Sequence, residues 1–417
     1  MQTNNKSRTL DNSTLLNYAY LVLLLTQGFL SQVLGIGGMY SAVMVLLGLS
    51  VFFAISSKQS YLKLMRATPI VFWTLWVIYN FIHWKLVGIV NATGGRLPFI
   101  LSSFVYPIVT MSIVYYEGMR NMKRTTLVVL VALAIYVFGG LFLEGVVQPA
   151  KQAWEDSERG ETSLGNHLPL TACMMAFFSI MASFKGWISK RRLYVLLAVS
   201  FAAIVYVATR KALAGWCLIV VMSTFTRFDL RKPSNLLKFL LLIGIFFLAY
   251  KFVMEDTYLG ERIVYTQEQG EESNESDVQV LNFLGDRAAQ YMLAWDLFLK
   301  HPITGIGLKN FSVMANYPFV LHTEYMVQLC ECGIIGSALY LLFMGGLIVM
   351  AFRLRRLNAR LFYICLGGLL CMLFLNFTAW TYQGNAYFAM YGLILAACYH
   401  ETKHDKPTRK TYKYRKQ

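Results

Sequence analysis

Apolar runs about 18 to 22 residues long recur along most of this chain, and that recurrence limits its fold more than any other feature. A helix rises about 1.5 Å per residue, so one such run crosses the ~30 Å hydrocarbon core of a bilayer. Lipid offers the backbone no hydrogen-bond partners, which makes a helix the natural state of each run. The runs are Leu15–Leu34, Met39–Ser56, Pro69–Val90, Pro98–Tyr116, Thr125–Leu143, Leu168–Phe184, Leu193–Thr209, Ala212–Phe225, Leu236–Met254, Gly333–Phe352, Leu361–Phe377 and Ala386–His400. They predict an all-α integral membrane protein with about twelve transmembrane helices. Only 14% of the residues are charged, against about 25% in ordinary soluble proteins.

The formal charge of +16 could suggest nucleic acid as a partner. Its distribution argues for topology instead. Lysines and arginines cluster in short segments before the first run, between alternate runs and after the last: Lys6 and Arg8; Lys58, Lys63 and Arg66; Arg120, Lys123 and Arg124; Lys185, Lys190, Arg191 and Arg192; Arg227, Arg231 and Lys232; Arg353, Arg355, Arg356 and Arg360; and the tail after His400. The acids in these segments are few: Asp11, Glu117, Asp229, Glu401 and Asp405. With the N-terminus in the cytoplasm, every inside segment obeys the positive-inside rule. That arrangement predicts an even number of spans, with both termini cytoplasmic. The first run reads as a retained anchor, because no small-residue cleavage site follows it. Most of the seven cysteines fall within apolar runs with no CxxC pair, and all seven read as small core residues.

The expected organisation is membrane helices over 1–254, an outward loop over 255–332, further membrane helices over 333–400, and a basic tail over 401–417. The loop lies between the ninth and tenth spans. It opens on the polar stretch Gln267–Asp277 and then takes on helical character. Tyr291, Ala294, Trp295, Leu297 and Phe298 recur at helical spacing, and Pro302 stops the helix. Gly305 and Gly307 allow a tight turn. A second amphipathic stretch runs from His322 to Cys332.

Several chemistries lack their residues. There is no Walker A motif, no HExxH and no Cys/His ligand set. GIGLKN lacks the third glycine of a dinucleotide fingerprint. The spans have no central charge of the kind that ion-coupled transporters use. What remains is a polar group on the outer face. Arg210 and Lys211 fill the gap between two runs; Arg262 and Arg287 lie in the large loop; His322 stands near Glu324 and Glu331. Each has a plainer reading by itself: an interfacial anchor for Arg210, a helix-surface charge for Arg287, a polar helix start for His322. Together they suit glycosyl transfer from a lipid-linked diphosphate. Arginine grips phosphate in bidentate fashion, and histidine can take a proton from a hydroxyl. No metal is required where arginines stabilise the leaving diphosphate.

The order of features resembles the O-antigen ligase and polymerase superfamily of bacterial surface-polysaccharide enzymes. The loop carries GDRAAQYMLAWDLFLKHPITGIGLKNF and then LHTEYMVQLCECGIIGSALYLL. These supply the family's arginine (Arg287), aromatic helix (Trp295), turn (His301, Pro302, Gly305, Gly307), histidine (His322), and acid before a glycine pair (Glu331, Gly333, Gly336). The resemblance implies that Arg210 and Arg287 bind an undecaprenyl diphosphate, with Arg262 a further candidate contact. It implies that His322 orients or deprotonates the acceptor hydroxyl, with Glu324, Tyr325 and Glu331 supporting. Lys211 stands where family members often have a small residue. His301 is assigned to the turn. The implied reaction is inverting transfer of a glycan to lipid A–core, or to a growing lipid-linked glycan. No cofactor and no nucleic acid are implied. The implied location is the bacterial inner membrane, in contact with its lipids. A transporter of lipid-linked glycan is the alternative from another class.

Overall fold

The computed structural model describes residues 12–27, 29–30, 48, 64–88, 99–147, 167–207, 209–225, 286–317, 320–321 and 323–404; for 143–147, 225, 286–289 and 404 it describes the backbone alone. The runs Met39–Ser56 and Leu236–Met254 lie almost wholly outside these residues, as do Arg262, His322 and the polar stretch Gln267–Asp277. All regular elements among the described residues are helical. They are α1 (Asn12–Leu25), α2 (Thr68–Val87), α3 (Tyr106–Val147), α4 (His167–Phe184), α5 (Lys190–Tyr206), α6 (Arg210–Phe225), α7 (Asp286–Lys300), α8 (Cys332–Leu357), α9 (Ala359–Leu375) and α10 (Asn385–His404), with short helical turns between some of them. Among the described residues, four stretches are long and apolar enough to cross a membrane: Thr68–Val87, Leu101–Phe142, His167–Phe184 and Glu324–Leu357.

The 42 residues of α3 are two helices that meet at Asn121. Asn121 has φ −153° and ψ 84°, and its side-chain oxygen accepts the Arg124 N–H at 3.0 Å, capping the second helix. Neighbours show that the chain reverses there. Gly118 sits against Ala396 and Gly392 against Met111, so the first half lies along α10. Gly139 sits against Phe29 and Gly140 against Leu168, so the second half lies beside the α1 segment and α4. The same device joins α8 to α9. Asn358 has φ −153° and ψ 87°, and its side chain accepts the Leu361 N–H at 3.1 Å. Two spans predicted on either side of each basic segment are thus joined through a single asparagine.

Contacts sort into two ends. At the basic end, Lys185 pairs with Glu401 at 2.8 Å. The His400 ring lies 2.9 Å from the Gly118 carbonyl, and Asn17 donates to Glu117 at 2.6 Å. Arg120 donates to Thr14 at 2.8 Å. At the other end, Asn310 donates to the Gly88 carbonyl at 3.1 Å and Gln383 to Ser103 at 2.7 Å.

Helix α2 illustrates the packing. Pro69 starts it, where a missing N–H costs nothing, and Gly88 ends it at φ 81°. Trp73 and Trp76 stack at 4.5 Å and are fully buried against Tyr340, Phe343, Phe388 and Tyr382. Ile78, Ile82 and Leu86 are exposed on the opposite side. A helix apolar on both faces suits lipid outside and protein inside.

Candidate active site at the loop end of the bundle

The predicted tight turn exists, and its partner is a broken helix. The segment before α8 is wound as a π-helix at Val327–Glu331, and the helix is interrupted at Gly333, φ 65°. Such a break strands backbone groups, which lipid cannot satisfy. The turn satisfies them. Ile306 N–H donates to Cys330 O at 3.0 Å and Gly307 N–H to Glu331 O at 2.8 Å. In the other direction, Ile334 N–H donates to Pro302 O at 2.8 Å and Ile335 N–H to Ile303 O at 3.3 Å. This close approach explains the glycines. Gly305 has φ 73°, and a Cβ there would meet the Glu331 carbonyl at 2.5 Å. A Cβ on Gly333 would meet the Ile303 oxygen. His301 is exposed; its backbone closes the end of α7 and accepts the Gly305 N–H at 2.9 Å, in keeping with a turn role.

Glu331 is buried within this joint. Its carboxylate accepts the Lys309 N–H at 2.8 Å and the Phe311 N–H at 3.4 Å. Lys309 takes a left-handed backbone, φ 65°, and its ammonium stands 3.2 Å from the centre of the Trp380 ring. Burial pushes the Lys309 ammonium down to about 8, against the opposing pull of Glu331.

Glu324 is fully buried and ties the loop to the 376–383 connection. One carboxylate oxygen accepts the Thr381 N–H at 2.5 Å and the Tyr382 N–H at 3.1 Å; the other accepts the Gln328 amide at 2.7 Å. Gln328 in turn accepts the Trp76 indole N–H at 2.8 Å. An indole only donates, so the Gln328 oxygen must face Trp76 and its amide must face Glu324. Asn376 completes the network. Its carbonyl accepts from the Thr323 hydroxyl at 2.9 Å and the Glu324 N–H at 2.8 Å, and its amide donates to the Tyr340 hydroxyl at 2.8 Å. Tyr325 donates to Leu373 O at 3.2 Å and packs edge-on against Phe377. The two residues that follow His322 are therefore pinned to the end of α9.

Arg210 opens α6 with an exposed side chain, and Lys211 donates to Thr378 O at 3.4 Å. Arg287 lies in the first turn of α7, which buries Gln290, Ala294, Leu297 and Phe298 while leaving Trp295 half-exposed. Its side chain, like Arg262 and His322 as a whole, falls outside the described residues. The structure thus brings together the start of α6, the 301–311 turn, Glu324, Tyr325 and Glu331. Lys309, Gln328 and the 376–383 connection carry the geometry without having been singled out in the sequence. Their signal was faint: one lysine after the glycines, and polar residues in NFTAWTYQ at the end of an apolar run.

The family model described as O-Antigen ligase matches residues 193–341, which include Arg210, Arg287, the 301–311 turn, His322, Glu324 and Glu331. No curated protein matches the chain. The match covers the loop motifs and the helices that flank them, so over residues 193–341 the chain is similar to the O-antigen ligase family.

Proposed function

We propose that this protein transfers a glycan, with inversion, from an undecaprenyl-diphosphate carrier to an acceptor hydroxyl at the periplasmic face of the inner membrane. The family supports glycosyl transfer of the O-antigen ligase and polymerase type in general. The observation that carries the finer reading is the joint at the loop end of the bundle. It pins the residues after His322 to the end of α9, where Lys211 at the start of α6 also binds.

In this reading His322 takes the acceptor proton, and the freed oxygen attacks the anomeric carbon from the face opposite the diphosphate. The carbon–oxygen bond to the diphosphate breaks, and the electron pair leaves with it. Arg210, Arg287 and Arg262 stabilise that charge, so the displacement has no step that needs a metal. Glu324 and Glu331 act by holding the loop, since their oxygens are engaged with backbone and amide donors. The spans number about twelve, with both termini cytoplasmic and the basic segments against anionic lipid.

The acceptor we favour is lipid A–core, which makes the protein a ligase; a growing lipid-linked glycan would make it a polymerase. The test is transfer from a radiolabelled undecaprenyl-diphosphate glycan by purified protein offered each acceptor separately. Label on lipid A–core supports the ligase, and lengthened carrier-linked chains would replace it with the polymerase. No transfer to either acceptor would count against the enzyme and favour a carrier of lipid-linked glycan.

A further inference from the structure

Helix α7 has three sides. It packs on the 324–331 segment that leads into α8, and Gln290, Ala294, Leu297 and Phe298 are buried. A second side is apolar and exposed: Met292 at 60%, Trp295 at 48% and Leu299 at 59%. A third carries Asp296 and Lys300, both exposed. At about 100° per residue, the three apolar residues fall within an arc of about 60°, and the two charges fill the arc beside it. A helix on the surface of a soluble protein has one apolar side, turned to the core, and one polar side. Buried, apolar and polar sides in succession suit a helix placed where protein, hydrocarbon and water adjoin.

The exposed apolar side does not end with α7. Ile303, in the turn that follows, is 63% exposed. Its carbonyl accepts the Ile335 N–H at 3.3 Å, and the Pro302 carbonyl accepts the Ile334 N–H at 2.8 Å. Ile334 and Ile335 are exposed in turn and begin a side of α8 that continues through Leu341, Leu342 and Val349. That side belongs to Glu324–Leu357, a stretch long and apolar enough to cross a membrane, so lipid is what covers it. The stripe on α7 thus joins a lipid-facing surface, and a soluble partner seated on it would collide with that lipid. Trp295, whose ring rests 5.3 Å from that of Phe298, is the residue type that favours the headgroup boundary.

We propose that α7 lies in the plane of the membrane. Met292, Trp295, Leu299 and Ile303 enter the lipid leaflet at the loop end of the bundle, and Asp296 and Lys300 face water. The apolar and polar arcs both run along the helix, so only an in-plane orientation keeps one in lipid and the other out of it. Insertion of this kind reaches about 5–10 Å into the leaflet. It fixes the depth of the loop, including the first turn of α7 where Arg287 lies, roughly 12 Å along the axis from Trp295. In the function proposed above, that is the depth of the carrier's diphosphate. This consequence rests on that reading; the insertion itself does not.

The test uses the full chain in vesicles of phosphatidylethanolamine and phosphatidylglycerol, and it needs no glycan. Nitroxides are attached to Met292→Cys, Leu299→Cys, Ile303→Cys, Asp296→Cys and Lys300→Cys, one at a time, with Ile334→Cys as the lipid-facing reference. Wild-type protein, whose cysteines are buried or half-buried, gives the background. Collision with oxygen reports lipid, and collision with a water-soluble nickel chelate reports solvent. We expect the oxygen-to-nickel ratio at 292, 299 and 303 to approach that at 334 and to stand several-fold above that at 296 and 300. Equal ratios at all five α7 and turn positions overturn the insertion. Slow collision with both reagents at 292, 299 and 303 overturns it as well, because protein or a second copy then covers the stripe. A solvent-exposed label at 334 removes the lipid-facing surface and the proposal with it. A protein that shows the expected ratios but transfers no glycan keeps the inserted helix and loses only its link to transfer.

Discussion

Glu324→Gln is close to isosteric, yet the hydrogen-bond chain through Gln328 forbids it. The Trp76 indole donates at 2.8 Å and cannot accept, so the Gln328 amide must point at position 324 at 2.7 Å. A glutamine at 324 can keep its oxygen toward the Thr381 and Tyr382 N–H groups only by turning its own amide onto that of Gln328. Rotating Gln328 moves the clash to Trp76. One buried hydrogen bond is lost, as is the charge on the acceptor of two others, for a cost of about 1.5–3 kcal/mol. Glu324→Ala leaves those donors without any acceptor and costs about 3–5 kcal/mol. The exchange Glu324→Gln with Gln328→Glu restores every donor–acceptor match and should return to within about 1 kcal/mol of wild type. Equilibrium unfolding in mixed micelles measures all three. A Glu324→Gln variant as stable as wild type, or an exchange no better than the single change, refutes the reasoning.

Gly305→Ala and Gly333→Ala should each cost more than about 3 kcal/mol, because each combines positive φ with a Cβ driven into backbone; the same unfolding measurement checks it. Asn121→Ala and Asn358→Ala each remove one helix cap and should cost about 1 kcal/mol, with cysteine-accessibility mapping unchanged on either side of each corner. Lys309 sits below the ordinary lysine range, so its charge is present below pH 8 and lost as pH rises through about 8. Glu331 acts on it in the opposite sense, favouring the charged form, and its ammonium stands over the Trp380 ring. Transfer should therefore fall above pH 8 in kcat/KM, and Lys309→Arg should extend the plateau upward; identical profiles for the two proteins count against a role for this charge.

The described helices were legible because lipid demands long apolar runs. Arg120 to Arg124 and Arg353 to Arg360 located two corners correctly. That a single asparagine makes each corner was not legible, since Asn121 and Asn358 differ from other polar residues only in φ and ψ. Gly305, Gly307 and Gly333 announced a turn and a break, but not that each satisfies the other's backbone. That pairing joins residues 24 to 32 positions apart and depends on a π-wound turn that periodicity does not encode. Lys309 and Thr381 escaped notice because their importance lies in what they touch. In the sequence one is a lone lysine in a loop and the other a threonine among aromatics.

The central claim is that His322 and the arginines perform the transfer at this end of the bundle. Its most direct test is glycan transfer by purified Arg287→Ala and His322→Ala variants at matched membrane abundance, beside Arg210→Lys. The account predicts that the first two abolish transfer and that Arg210→Lys is strongly impaired, because lysine cannot make the bidentate contact. Normal transfer by Arg287→Ala and His322→Ala would contradict it.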